Sequence, residues 1–409
     1  MMRGLTKLSA FSLFGSFLMA GQAQAAPAGL DWPQYRGPNS NGISAETGID
    51  KNWAAKPPKL LWKVDMTDGG YSGPAVAGGI LYIIDHNGDQ DVVRALSMAN
   101  GSEVWSYRYT EAKPMDNGFT RSTPTVRGDR VYTMSRLGLA CCFEAKTGKV
   151  VWTRNLCADF GSQRPGWDYA CSPVLDGKKL ILCPGGQNAG VVALDPDTGK
   201  TIWQGGASTV AGYSTPVIAT IGGVKQYVVF TVDSVVGVAA QDGKLLWSYP
   251  WKTGADVNAS NPIVMGDTVF ISSGYNHGCA LLKIDASGAT KVWQNKEMQA
   301  QFSCPVLLGG LIYGTGDPGS LMCLDPKTGD AKWKQPGFEK GGCVAVDGTI
   351  IALNGSNGDV IMAAIDPAAY KELGRISGPL GGQSWTAPIV AEGRLIIRNT
   401  KAIACLDLR

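Results

Sequence analysis

The sequence predicts an all-β protein, an eight-bladed β-propeller of four-stranded blades, and three observations carry that expectation. Seven tryptophans, Trp62, Trp105, Trp152, Trp203, Trp247, Trp293 and Trp333, follow one another at intervals of 43, 47, 51, 44, 46 and 40 residues, which is the period of a propeller blade. Each closes a recurring phrase, such as "FEAKTGKVVW" at 143–152, "LDPDTGKTIW" at 194–203 and "LDPKTGDAKW" at 324–333, in which a Thr-Gly turn joins two short strands. Between the tryptophans runs a second phrase, "RSTPTVRGDRVYTM", "ACSPVLDGKKLILC" or "SNPIVMGDTVFIS": a proline opens a strand, a glycine-containing turn follows, and a β-branched strand returns.

One repeat therefore holds four strands: the proline strand, its hairpin partner, the strand ending in "ALD" and the strand carrying Trp. The composition agrees, with 54 Gly and 12 Trp among 409 residues, 44% of them hydrophobic and 17% charged. The six intervals leave 76 residues after Trp333, close to two further periods once a strand through Trp62 is added, so eight blades are expected. The seventh is degraded: Cys343 replaces its proline, and Gly374 stands near the absent tryptophan. The chain ends at "KAIACLDLR", a strand of the "ALD" type with no successor. Residues 59–66 resemble the missing outer strand and are expected to complete the last blade, joining the two ends and protecting the strand edges. The seven repeat tryptophans are expected to wedge between blades as structural glue.

The chain divides into a signal peptide at 1–25, a leader segment at 26–58 and the propeller at 59–409. The signal peptide rests on Arg3 and Lys7, an uncharged run of 13 residues and an Ala23-Gln24-Ala25 cleavage site. That run falls short of the roughly 18–20 apolar residues of a spanning helix. No cysteine precedes Cys141, so no lipid anchor is expected, and the mature chain, beginning at Ala26, should be a soluble monomer in the periplasm or outside the cell. Loss of the two basic residues takes the formal charge from +3 to +1, which gives no attraction to nucleic acid or to an anionic membrane. Of ten cysteines, Cys142, Cys323 and Cys405 occupy the slot held by Ala193 in its repeat and read as small buried residues not paired with one another; pairing among the others stays open.

The A-x-D-x-x-T-G-x-x-x-W phrase, with its S-x-P-x-V strand between, resembles the tryptophan-docking repeats of the pyrroloquinoline-quinone (PQQ) propeller superfamily over about residues 59–409. Within it, "DWPQYRGPNSNGIS" (31–44), "GGVKQYVVFT" and "SSGYNHGCALLK" look most like compact secreted proteins grouped with the outer-membrane assembly factor BamB. Two functions follow from the resemblance: quinoprotein dehydrogenases, and non-enzymatic propellers of the BamB kind. The dehydrogenases hold the quinone in the central channel over calcium, with an acidic base and usually a disulfide of adjacent cysteines.

The loops feeding the proline strands should line one mouth of the channel. They offer Tyr71, Arg121, Trp167, Asp168, Tyr169, Tyr213, Asn258, Asn261, Phe302 and Trp385. Asp168 is the one carboxylate of the set, a thin shell for calcium, which takes six to eight oxygens; it reads better as bonding its own loop. Cys141-Cys142 lies in a strand and reads as buried. His86 and His277 are expected as solvated loop residues, and "CPGGQNAG" (183–190) as a hairpin connection. The expected function is a binding or scaffold role in cell-envelope or outer-membrane protein assembly, without cofactor or metal, holding a protein or extended peptide at the channel mouth. The alternative is a PQQ- and calcium-dependent dehydrogenase of alcohols or sugars, with Arg121 on the cofactor carboxylates, Asp168 as base and Asn261 toward the metal.

Overall fold

The computed structural model describes residues 1, 30–67, 69–113, 117–206 and 210–409. The expected signal peptide and the Ala26 terminus lie outside the described residues, save Met1. Period-two alternation and turn glycines fold each repeat into one antiparallel sheet, and eight such sheets form the ring. The first blade shows the pattern, with strands Ala75–Ala77, Ile80–Asn87, Gln90–Ser97 and Glu103–Thr110 running from the channel outward. The one described α-helix, Leu156–Phe160, spans five residues. None of the described residues forms a helix long and apolar enough to cross a membrane.

The repeated phrase has a packing reason. In several blades the indole lies on the Thr-Gly turn of the next and donates to its backbone: Trp105 Nε1 to Ala145 O at 2.7 Å, Trp152 Nε1 to Pro196 O at 2.9 Å and Trp293 Nε1 to Pro326 O at 2.9 Å. A Cβ on Gly148 would stand 2.5 Å from the Trp105 ring, and one on Gly199 2.8 Å from Trp152. Glycine is thus required there twice, by the φ of +72° and +70° and by the indole face. Across the strand pair the tryptophan faces a small residue, as in Ala95↔Trp105, Cys142↔Trp152, Ala193↔Trp203, Cys323↔Trp333 and Cys405↔Trp62. This explains why Cys142, Cys323 and Cys405 share a slot with Ala193: a small side chain there leaves room for the ring, although the fifth blade accommodates Leu281 opposite Trp293. All ten cysteines are free, and Cys141 and Cys142 belong to the cores on opposite faces of their strand.

In every blade one outer-strand residue is bulged out of the ladder, immediately before the tryptophan slot: Leu61, Val104, Val151, Ile202, Leu246, Val292, Lys332 and Leu373. A bulge twists the outermost strand and spoils it as a template for pairing with another chain.

The ring closes as the sequence suggests. Strand Leu60–Asp65 pairs antiparallel with Ala402–Asp407, Lys63 opposite Ala404. In the seventh blade Gly374 holds the tryptophan position, opposite Met362. The vacant volume is filled from the leader: a Cβ on Gly374 would stand 2.5 Å from Trp53 Cβ, and Trp53 is 2% exposed in the core cluster that also holds Trp62, Met362 and Leu406. The leader is therefore knitted into the propeller. Its Ile43–Ser44 pairs parallel with Cys343–Val346 as a fifth strand, and Glu46 accepts from Gly393 N and Arg409 Nη2 in the eighth blade.

Candidate functional site

The residues just before the eight innermost strands converge on one mouth of the central channel and line a cavity of about 370 Å³, to which every blade contributes. Six of the expected residues meet there: Tyr71, Arg121, Trp167, Tyr213, Phe302 and Trp385. Tyr71 stacks on Trp385 with centroids 5.2 Å apart, and Phe302 lies 5.0 Å from Trp385, forming one aromatic wall. Trp167, 38% exposed, and Tyr213 form another, joined where Trp167 N donates to Tyr213 Oη at 3.1 Å.

The remaining expected residues are turned into the protein, and each for a polar reason. Tyr169 is a core residue and not part of the mouth: its hydroxyl donates to Pro184 O at 2.7 Å and lies 3.0 Å from Ser162 Oγ. Asn261 is buried too; its Oδ1 accepts from Thr215 N at 3.1 Å, tying adjacent inner strands. Asn258 donates to the carbonyls of Thr231, Val232 and Trp251 and so pins a loop. Asp168, at φ +61°, is held by Lys113 at 2.6 Å, Arg164 at 2.9 Å and Arg136 at 3.5 Å, with its carboxylate 3% exposed. An unpaired buried carboxylate would be costly, and this one is saturated.

The leader supplies what sequence reasoning missed. Trp32 pairs through its backbone with Val76 in the first blade, Pro33 O accepts from Val126 N in the second, and Arg36 donates to Cys304 O at 2.9 Å and Pro305 O at 2.6 Å in the sixth. Residues 32–42 thus cross the channel as a chord, and Trp32, Tyr35, Arg36 and Gly42 close the cavity from below. Tyr275, Gln301 and Lys340 complete the rim. Lys340 Nζ sits 5.5 Å from the Trp385 centroid and 5.9 Å from that of Phe302, close enough for cation–π attraction. A signal existed for the chord, since "DWPQYRGPNSNG" is too rich in large side chains for an idle linker.

His86 corrects another expectation. It is 2% exposed, with Nδ1 2.7 Å from Asp91 Oδ1, Nε2 2.6 Å from Gly88 O, and its ring stacked 3.9 Å from Phe119. Burial alone would lower its pKa, but Asp91 and the Gly88 carbonyl outweigh it and hold the pKa above the ordinary value. His277 is half-buried, edge-on to Trp251 at 4.4 Å. Connection 183–190 joins two strands, as expected.

Glu111, also buried, is pushed up from 4.5 to about 7 by desolvation and then by the charge of Asp91. Folded protein therefore holds its proton between those values where unfolded chain has lost it, and this contribution to stability falls as pH rises from about 4.5 to about 7. At 1.36 kcal/mol per pH unit the change approaches about 3 kcal/mol. His86 acts in the same direction, its contribution being lost as pH rises through its folded pKa. Glu111→Gln keeps the acceptor for Leu137 N but removes the titration. Its urea stability relative to wild type is expected to rise by up to that amount from pH 4.5 to pH 7; a difference that does not vary with pH would show that Glu111 titrates normally.

Calcium asks for carboxylate oxygens at the channel mouth, and the described donor set does not fit it. Among the described residues no Asp or Glu lines the cavity, Asp168 is occupied by three cations, and the Asn261 carbonyl is spent on the backbone.

What the fold and cavity define is a ring protein with a blind, aromatic cup at one mouth. The family model for the outer membrane protein assembly factor BamB matches residues 52–132 and 89–335, and the chain belongs to that family. BamB of Burkholderia pseudomallei is 26% identical over 62% of this chain, and the match spans 64% of that relative's length. The dehydrogenase subunit of the quinone alcohol dehydrogenase of Komagataeibacter europaeus is 30% identical, over 36% of this chain and 21% of its own. The crystal structure of BamB from Moraxella catarrhalis superposes with a TM-score of 0.63 at 15% identity, covering 86% of this chain and 98% of that one, which shows a shared fold.

Proposed function

We propose that the protein is a non-catalytic propeller that holds protein partners during outer-membrane protein assembly, on the periplasmic or outer side of the cell membrane. The observation that carries this reading is the cup itself: aromatic walls and no carboxylate among the described lining residues, closed by the chain's own leader. Such a cavity offers apolar area and fixed polar groups for recognition, and no carboxylate among its described lining residues to act as a base. Family membership and the BamB relatives supply the cellular setting.

In-cell photo-cross-linking tests it. A photoreactive phenylalanine at the exposed Trp167 is expected to capture envelope proteins, whereas the same group at exposed Lys178, in an inter-strand turn away from the lining, captures few. The dehydrogenase reading makes the opposite forecast. Protein incubated with PQQ and calcium would then reduce an artificial electron acceptor with alcohols or sugars, and Asp168→Asn would abolish that turnover. We expect no such turnover.

A further inference from the structure

We propose that the cup captures the C-terminal end of an extended polypeptide, recognising a free carboxylate next to an apolar side chain. The proposal rests on the binding reading above and names the ligand of that same site.

Three features point the same way. First, the cup is blind. With Trp32, Tyr35 and Arg36 across the channel, a strand cannot thread through, and about 370 Å³ admits a chain end or a small molecule but no folded partner. Second, the charge of its described lining is of one sign. Arg36, Arg121 and Lys340 line it and no carboxylate among the described residues does. Of the acids nearby, Asp168 is saturated by cations and Asp256 lies 3.8 Å from Lys252, while Asp317, beside the Gln301 stem, and Glu339 stand outside the lining. Lys340 makes no ion pair among the described residues and rests on the Phe302 and Trp385 rings, an ammonium presented on an aromatic surface. A chain's amino end would be repelled here and its carboxyl end attracted. Third, Gln301 lines the cavity at 6% exposure; its Nε2 donates to Tyr275 Oη at 2.6 Å, and its Oε1 meets no donor in the protein. A buried acceptor without a partner is costly, and a ligand N–H relieves it. A peptide brings that N–H beside its terminal carboxylate, whereas a simple aromatic acid does not.

The test uses the full protein and three probes followed by tryptophan fluorescence and calorimetry: N-acetyl-Ala-Ala-Phe with a free carboxylate, its C-terminal amide, and 3-phenylpropionate. The free-acid peptide is expected to bind saturably and at least tenfold more tightly than either of the others. Lys340→Gln should weaken the acid peptide severalfold and leave the amide unchanged, and Gln301→Leu should weaken both peptides but not 3-phenylpropionate. Equal binding of acid and amide would overturn carboxylate recognition. Equal binding of 3-phenylpropionate would overturn the peptide in favour of a free small acid, and no saturable binding by any probe would overturn the site. Cross-links at Trp167 that persist while peptide binding is absent would remove this inference and leave the scaffold reading standing; absent cross-links with intact peptide binding would do the reverse.

Discussion

Replacing Trp53 with alanine is expected to lower the unfolding free energy by about 3–5 kcal/mol, as much as truncating a tryptophan inside a repeat, although Trp53 lies in the leader. The seventh blade has Gly374 where its neighbours carry tryptophan, and the larger Met362 where the two adjacent blades carry Cys323 and Cys405; the remaining space is taken by the Trp53 indole. Removing it leaves a cavity bounded by strands from two blades and the leader, which cannot collapse without moving backbone. Its Nε1 has no hydrogen-bond partner, so the whole contribution is packing, and Trp53→Phe should cost far less, under about 1.5 kcal/mol. Urea unfolding followed by circular dichroism measures both, with Trp167→Ala, at the exposed rim, as a control expected within about 0.5 kcal/mol of wild type. A Trp53→Ala variant no weaker than that control would mean the leader carries none of the fold.

Deleting Lys59–Asp65 should be more damaging still and cost the protein its single cooperative transition. The deleted residues form the outer strand of the eighth blade and include Trp62, whose Nε1 donates to Met98 O at 2.9 Å across the seam to the first blade. Their loss bares the edge of Ala402–Asp407, a strand with no bulge of its own, in place of an outer strand that has one. Open edges of that kind pair with other chains. Calorimetry and light scattering should therefore show an early, broad transition with concentration-dependent aggregation. A monomeric deletion variant melting at the wild-type temperature would mean that the seam is held by other contacts.

Blade count and closure were legible because propellers repeat, and a repeated constraint leaves a repeated residue: in most blades the indole has a glycine turn beneath it and a small residue opposite. The cup was half legible. Counting back from each proline strand finds Tyr71, Arg121, Trp167, Tyr213, Phe302 and Trp385, since the loop feeding an innermost strand must reach the mouth. It fails for Tyr169, Asn261 and Asp168, because side chains alternate in direction and a buried polar group turns toward whichever backbone can satisfy it. The chord through Trp32 and Arg36 left no periodic trace, being used once and docking on blades distant in sequence. His86 was misread for a related reason: its partner Asp91 faces it across a hairpin, and hairpin residues look solvated until the next blade's Phe119 covers them.

The later part of the leader and the closing strand precede the blades in the chain yet dock on the last two of them. Trp53 waits for Gly374, and Lys63 for Ala404, contacts spanning more than three hundred residues. During synthesis or export, blades one to six can assemble in order as they emerge, with Trp32 and Pro33 already docked on the first two, while Ile43–Ser44, Trp53 and the closing strand still lack the partners they find in blades seven and eight. Folding should accordingly end in one slow, late step, set by the time two distant ends take to find each other. Until then the molecule is a curved strip rather than a ring, and its cup, whose wall needs Lys340 and Trp385 and whose floor needs Arg36, does not yet exist. Maturation of the binding site and completion of the chain are the same event.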